Sequence, residues 1–191
     1  MNAIARCVAA LSFAATCQPA SAQPTASTTP AYRDGSHDFD FLIGDWKAHV
    51  RRLPNRLVGS HDWVEYEGIS NHHKILDSNA NFEQFEVTST DGKQHLKAQT
   101  LRLYNPDTRQ WSIYLLDVDK GSLPMPPVVG GFTGNRGEFY DQETLNGRAI
   151  FVRFLISCST PDTCHFEQSF SDDGGKTWEV NWIADDRRVK N

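Results

Sequence analysis

The chain of 191 residues lacks a positive net charge, a long apolar run and the short motifs of the common enzyme classes. A formal net charge of −5 is the wrong sign for binding phosphate backbones, so nucleic acid is not an expected partner. No stretch has the roughly 20 consecutive apolar residues of a membrane-spanning helix, so we expect no membrane span. Because G-x-S-x-G, H-E-x-x-H and acidic calcium-loop motifs are missing, the sequence predicts no metal and no cofactor, and it leaves any catalytic residues unknown.

The start of the chain has the pattern of a secretory signal peptide. An apolar run after Arg6 is followed by Ala-Ser-Ala at 20–22, the small-x-small pattern of a cleavage site. We expect a signal peptide at 1–22, cleavage after Ala22, and a periplasmic or secreted product. Lipidation of Cys17 is the less favoured alternative.

The mature chain is expected to contain one domain. Residues 23–36 are rich in Pro, Thr and Ser and poor in large apolar side chains, so they predict a disordered leader. The remaining residues, 37–191, have the length of a single domain with one core. Cys158 and Cys164 flank the turn-like S-T-P-D-T, and in an oxidising compartment we expect them to form a disulfide across a hairpin.

Short segments rich in Val, Ile, Tyr, Phe and Trp follow one another through this domain, separated by Gly-, Asp- and Asn-containing turns. Sustained helical periodicity is missing, and we predict only a short N-terminal helix in S-H-D-F-D-F-L-I-G, between a cap at Ser36 and an end at Gly44. About ten antiparallel strands in one small domain predict an all-β fold, an up-and-down barrel or, failing that, a sandwich.

Two hairpins allow the strand faces to be sorted. If Cys158 faces Cys164, one apolar face contains Ile156, Phe166, Phe154, Gln168, Val152 and Phe170. The next strand is expected to extend that face through Trp178, Val180 and Trp182.

The second hairpin places Tyr104 opposite Trp111 around N-P-D-T-R-Q. The same face then carries Ala98, Thr100, Arg102, Ile113 and Leu115. If this face points inward, Arg102 offers a fork for a carboxylate or another anion. If it points outward, Leu101, Leu103 and Tyr114 fill the core, and periodicity leaves both arrangements open.

Few polar residues are candidates for chemistry. In I-S-N-H-H-K-I-L, alternation places His73 with two isoleucines on the inner face and His72 on the outer face. An inward His73 is most often a hydrogen-bonded core residue, and the alternatives are a haem-iron ligand or a base. Glu65 and Glu67 share one strand face, a pattern typical of solvated side chains, which leaves Glu65 as a weak catalytic candidate.

The stretch S-D-D-G-G-K-T-W fits S-x-D-x-G-x-x-W and resembles the Asp-box of sialidases and other glycan-handling propellers. The motif occurs once, and the chain is too short for a propeller. We therefore predict a structural turn in which Ser171 and Asp173 bond to loop backbone groups and Trp178 anchors the turn in the core.

A wider resemblance covers most of the mature chain. F-D-F-L-I-G-D-W, a run of antiparallel strands, the late S-D-D-G-G-K-T-W and a terminal D-R-R resemble the secreted bacterial domain of unknown function 1579-like family, which is placed with calycin-like barrels of the lipocalin and nitrobindin type. Gly44-x-Trp46 also looks like the G-x-W of lipocalins, in which a late Arg lies over the Trp. The resemblance implies that Arg187 or Arg188 packs on Trp46.

We therefore expect a calycin-like barrel that binds a small, largely apolar molecule. The expected ligand-binding residues are Arg102, Tyr104, Trp111, Gln168, Trp182 and His73. The alternatives are a small-molecule hydrolase, lyase or isomerase that uses the barrel cavity, a haem-binding nitrobindin-like barrel, and a barrel filled by its own side chains. The Pro-rich connection V-D-K-G-S-L-P-M-P-P-V-V-G-G is expected to cap the opening with Met125 near its tip.

Overall fold

The computed structural model describes residues 33–76 and 79–190, so the expected signal peptide and most of the expected leader lie outside the described residues. The described residues form ten strands: β1 Gly44–Arg52, β2 Val64–Lys74, β3 Ala80–Ser89, β4 His95–Asn105, β5 Gln110–Leu116, β6 Val128–Thr133, β7 Arg136–Leu145, β8 Arg148–Thr160, β9 Thr163–Ser171 and β10 Glu179–Arg188. Within the same residues, the structure has no helix with the length and hydropathy to cross a membrane.

The ten strands form a closed barrel. Each strand is antiparallel to its neighbour in the order β1-β10-β9-β8-β7-β6-β5-β4-β3-β2, and β1 closes the barrel by pairing with both β10 and β2. Successive side chains of a strand point to opposite faces, so every second residue points into the barrel. In β8, for example, Ile150, Val152, Phe154 and Ile156 are all buried. The predicted antiparallel barrel is confirmed.

The predicted N-terminal helix is reduced to a single 3₁₀ turn, Asp40–Leu42, which has no side-chain cap. So short a segment cannot form a stable helix by itself, and tertiary contacts decide its conformation. Phe39 and Leu42 are buried against the barrel core, and the indole Nε1 of Trp46 donates a hydrogen bond of 2.7 Å to the Leu42 carbonyl. The turn therefore closes one end of the barrel, called the closed end below.

An arginine from the last strand completes the closed end. The guanidinium of Arg188 lies 4.1 Å from the centre of the buried Trp46 ring. It also donates hydrogen bonds to the carbonyls of Ile43 at 2.8 Å and Pro161 at 3.0 Å. The Trp–Arg contact that the lipocalin resemblance implies is present, and Arg188 makes it.

Both predicted hairpin registers are confirmed. Cys158 and Cys164 pair and form a disulfide, and Phe154 lies opposite Gln168 as expected. Tyr104 pairs with Trp111 in the β4–β5 hairpin. The sequence left two orientations of this hairpin face undecided, and the structure has the inward one. The residues of the face that are buried are Thr100, Arg102, Tyr104, Trp111 and Ile113.

A bulge in β10 overturns the predicted face of Trp178 and of Val180, which lies opposite the outward Ser169. The register shifts between Val180 and Trp182, so the buried Asn181 is an extra residue in this strand. An extra residue reverses the side-chain alternation on one side of the bulge. Trp182 points inward, whereas Trp178 packs against Tyr140 and Arg153 on the outer face of the sheet. The ring centres of Trp178 and Tyr140 are 6.0 Å apart.

The Asp-box-like turn has the hydrogen bonds that its residues predict. The Asp173 carboxylate accepts the backbone N–H groups of Lys176 and Thr177, each at 3.0 Å. The Ser171 hydroxyl accepts the N–H of Gly175 at 2.9 Å, and the Trp178 indole donates to the Gly175 carbonyl at 3.0 Å. The polar side chains of the motif are thus used within the turn itself.

Candidate ligand-binding cavity

The barrel is hollow. A cavity of about 250 Å³ lies between the inward side chains of the strands and the 3₁₀ turn. Its walls are mainly apolar: Leu42, Phe85, Ile113, Phe139, Phe154, Ile156, Phe166 and Trp182. Cavities that bind small organic molecules are mostly apolar with a few placed polar groups, and this interior has that composition.

A group of polar side chains, called the polar floor, lies in this cavity next to the closed end. It consists of Ser70, His72, Glu83, Arg102 and Asp186. These residues come from β2, β3, β4 and β10, and each occupies an inward position of its strand. The Arg102 guanidinium lies 5.2 Å from the ring of Phe39, which places the floor against the segment that closes the barrel.

Four of these side chains form one connected hydrogen-bond network. Arg102 forms an ion pair with Glu83 and donates a hydrogen bond of 3.1 Å to the Asn81 side-chain oxygen. It also donates a hydrogen bond to Nδ1 of His72 at 3.2 Å. Because a guanidinium can only donate, Nδ1 must be the acceptor. The proton of the neutral imidazole is then on Nε2, which donates to the Ser70 hydroxyl at 2.9 Å, and Ser70 in turn donates to Glu83 at 2.8 Å.

The network fixes the charges of its members. Burial lowers the pKa of His72 to about 4, against the opposing effect of Glu83, so His72 is neutral at neutral pH. Burial is the largest single effect on Glu83 and would raise its pKa, but the charge of Arg102, the His72 ring and the hydrogen bonds from Ser70 and Arg102 together outweigh burial and lower this pKa to about 2. Arg102 and Glu83 are therefore both charged, and their charges compensate each other.

Asp186 stands apart from this network. Burial, and then the negative charge of Glu83, raise the pKa of Asp186 to about 7. Among the residues that the structure describes, its Oδ1 is buried without a hydrogen-bond partner, and the same is true of Nε of Arg102. Buried polar atoms in proteins nearly always have partners, so these two atoms are the unusual feature of the cavity.

The hydrogen bonds do not describe an activated serine. A nucleophilic serine gives its proton to a neighbouring base, usually a histidine. Here the Ser70 proton is directed to Glu83, and His72 is a donor to Ser70. Both ring nitrogens of His72 are engaged, so neither is free to bind a haem iron.

The predicted ligand-binding residues separate into three groups: those that line the cavity, those that lie at the closed end, and His73, which lies on the outer face. Arg102, Gln168 and Trp182 line the cavity as expected, although as ligand-binding residues they stay predictions. Tyr104 and Trp111 are buried at the closed end. There the Tyr104 hydroxyl accepts a hydrogen bond from the N–H of Gly35, and the Trp111 indole donates one to the Gly35 carbonyl.

The prediction that His73 points into the barrel is wrong. The structure places His72 inside, with 3% of its surface exposed, and His73 outside. The prediction failed because it assumed an apolar interior: Ile69 is on the outer face with 44% exposed, whereas Ser70 is on the inner face with 1% exposed. Glu65 is also exposed, so the two candidate catalytic residues do not converge on the cavity.

The fork of Arg102 is not free for a ligand carboxylate. Its terminal nitrogens are occupied by Glu83, His72 and Asn81, and only Nε lacks a partner within the described residues. Sequence reasoning missed Asp186, although a signal for it existed. Trp182 was expected to face inward, and Asp186 lies four residues later on the same face of the strand.

The predicted cap is not formed by the β5–β6 connection. Met125 is 65% exposed, and none of the cavity-lining residues belongs to 117–127. Near the opposite end of the barrel from the 3₁₀ turn, Arg56 of the β1–β2 connection lines the cavity instead, and its guanidinium lies 5.0 Å from the centre of the Phe170 ring.

No family model and no curated protein matches this chain. Among solved structures, the S-type phycobiliprotein lyase CPES from Guillardia theta matches with a TM-score of 0.55 and 14% sequence identity, over 83% of this chain and 94% of that chain. The two proteins share a barrel fold. At this identity the likeness shows the fold alone, which agrees with the expected calycin-like barrel, and membership of the domain of unknown function 1579-like family stays a prediction.

Proposed function

We propose that this protein binds a small, largely apolar molecule inside its barrel. The observation that carries the proposal is the hollow interior of about 250 Å³, with apolar walls and a polar floor at one end. An empty apolar cavity of this size is a cost to stability that a protein without a ligand has no reason to keep. A solved structure with a similar barrel fold is that of a phycobiliprotein lyase, and this likeness supports a small molecule as the occupant.

Trp182 provides a test, because its ring is part of the cavity wall. We expect the neutral probe 1-naphthylmethanol to bind the wild type, and Trp182→Ala to weaken its binding by about 1–3 kcal/mol through loss of a large aromatic contact. Fluorescence titration measures both affinities.

Trp178→Ala is the matched control, since Trp178 lies on the outer face of the barrel. This variant should bind the probe as the wild type does. If the wild type does not bind the probe, or if both tryptophan variants bind it equally well, the interior is not the binding site and the proposal fails.

We also propose that the protein is exported. The small-x-small pattern at 20–22 supports cleavage after Ala22, and the Cys158–Cys164 disulfide supports an oxidising compartment. The mass of the protein recovered from its own host should correspond to a chain that begins at Gln23. An uncleaved chain in the cytoplasmic fraction would contradict this proposal.

A further inference from the structure

The polar floor contains one acceptor and one donor that have no partner among the residues the structure describes, and both lie in the cavity. Oδ1 of Asp186 and Nε of Arg102 are buried in strands β10 and β4, which face each other across the barrel with three strands between them on one side. A buried carboxyl oxygen without a partner is costly unless something in the functional state satisfies it. The atom that does so must come from the cavity side.

We propose that the ligand carries a protonated or N–H nitrogen and that Asp186 receives this nitrogen. The inference rests on the proposed function, because it names the chemical class of the molecule that the cavity holds: a hydrophobic amine or a related N–H compound. The apolar walls contact the hydrocarbon part of the ligand, and Asp186 binds its nitrogen at the floor.

The charges around Asp186 favour such a ligand over an acid. Arg102 on β4 is compensated by Glu83 on β3, and His72 on β2 is neutral. On the outer side of the barrel, Asp185 of the same strand is paired with His165 of β9. Among the described residues, an ionised Asp186 is therefore a negative charge without a cation of its own, and a ligand carboxylate beside it would meet an uncompensated like charge.

The other cation of the cavity does not change this conclusion. Arg56 lies towards the opposite end from the 3₁₀ turn, where its guanidinium packs on Phe170. Burial and then the charge of Arg52 lower the pKa of Arg56, and the charges of Glu143 and Glu179 act in the opposite sense. At Asp186, the floor thus selects for a donor or a positive charge.

The titration of Asp186 adds a second signature. Because burial and Glu83 raise its pKa to about 7, the free site holds a proton at about pH 6, and a bound cation displaces that proton. At about pH 9 the carboxyl is already ionised and there is no proton to release. Uptake of an amine should therefore release up to one proton at the lower pH only.

The experiment is isothermal titration calorimetry at about pH 8 with probes that share one naphthyl group: 1-naphthylmethylamine, 1-naphthylmethanol and 1-naphthylacetate. We expect the amine to bind roughly tenfold or more tightly than the acetate. Asp186→Asn should remove this preference and weaken the amine by a similar factor, while it changes the affinity for the alcohol less than about threefold. Repeating the amine titration at about pH 6 in buffers of different ionisation enthalpy measures the released proton.

Asp185→Asn is the matched control, because it removes the same charge from the next residue, on the outer face. It should leave the preference for the amine intact. The inference is overturned if the acetate binds as well as the amine, or if Asp186→Asn leaves the amine affinity unchanged. Binding of all three probes without preference would overturn this inference alone, whereas binding of none would overturn the proposed function with it.

Discussion

At about pH 8, the Arg102→Met variant is expected to have a free energy of unfolding about 3–5 kcal/mol lower than the wild type. Methionine keeps much of the unbranched stem of Arg102 but removes the guanidinium. Glu83 would then be a buried carboxylate without its cation, and His72 and Asn81 would lose a donor. Urea unfolding followed by tryptophan fluorescence measures the difference.

The pH and a second substitution separate this explanation from simple loss of packing. Without Arg102, burial raises the pKa of Glu83, so the carboxyl can be protonated as the pH falls, and the loss should be smaller at about pH 5 than at about pH 8. Adding Glu83→Gln should recover part of the loss, since replacing both members of a buried pair costs less than breaking it. A loss that is independent of pH and unaffected by Glu83→Gln would show that the ion pair is not the cause.

The barrel could be predicted because its signals are local. Turn residues mark the hairpins, and the Cys158–Cys164 and Tyr104–Trp111 pairs set the register of the strands beside them. Once a register is known, alternation places every other residue on the same face. The inward position of Arg102 needed one further fact, which side of the hairpin meets the core, and local patterns do not contain it.

The polar floor was harder to find because it breaks the rule by which the faces were sorted. On β2 the polar residues Ser70 and His72 point inward and Ile69 points outward, so counting apolar residues selects the wrong face. Its members satisfy one another only after four strands have come together, and no short window of sequence contains both Arg102 and Glu83. The bulge at Asn181 has no marker in the sequence either, and it moved Trp178 to the outside.

Asp186 should make the protein less stable as the pH rises. Its folded pKa of about 7 is above its ordinary value of 3.8, so between these values the folded state binds a proton that the unfolded state has already lost. Stability is unaffected below about pH 4, falls through the interval, and is lowest above about pH 7. Because each pKa unit corresponds to about 1.4 kcal/mol, the penalty is at most about 4 kcal/mol.

Asparagine has nearly the same shape as aspartic acid and cannot ionise, so Asp186→Asn should remove the penalty. We expect the variant to be about 2–4 kcal/mol more stable than the wild type at about pH 8 and nearly equal to it at about pH 4. His72 titrates in the opposite sense: its folded pKa of about 4 is below its ordinary value of 6.5, so its contribution is lost as the pH falls between them. His72 is present in both proteins, and the difference between their unfolding curves isolates Asp186. A difference that stays constant from about pH 4 to about pH 8 would mean that Asp186 is satisfied in the folded protein, and the case for a nitrogen-bearing ligand would lose its main support.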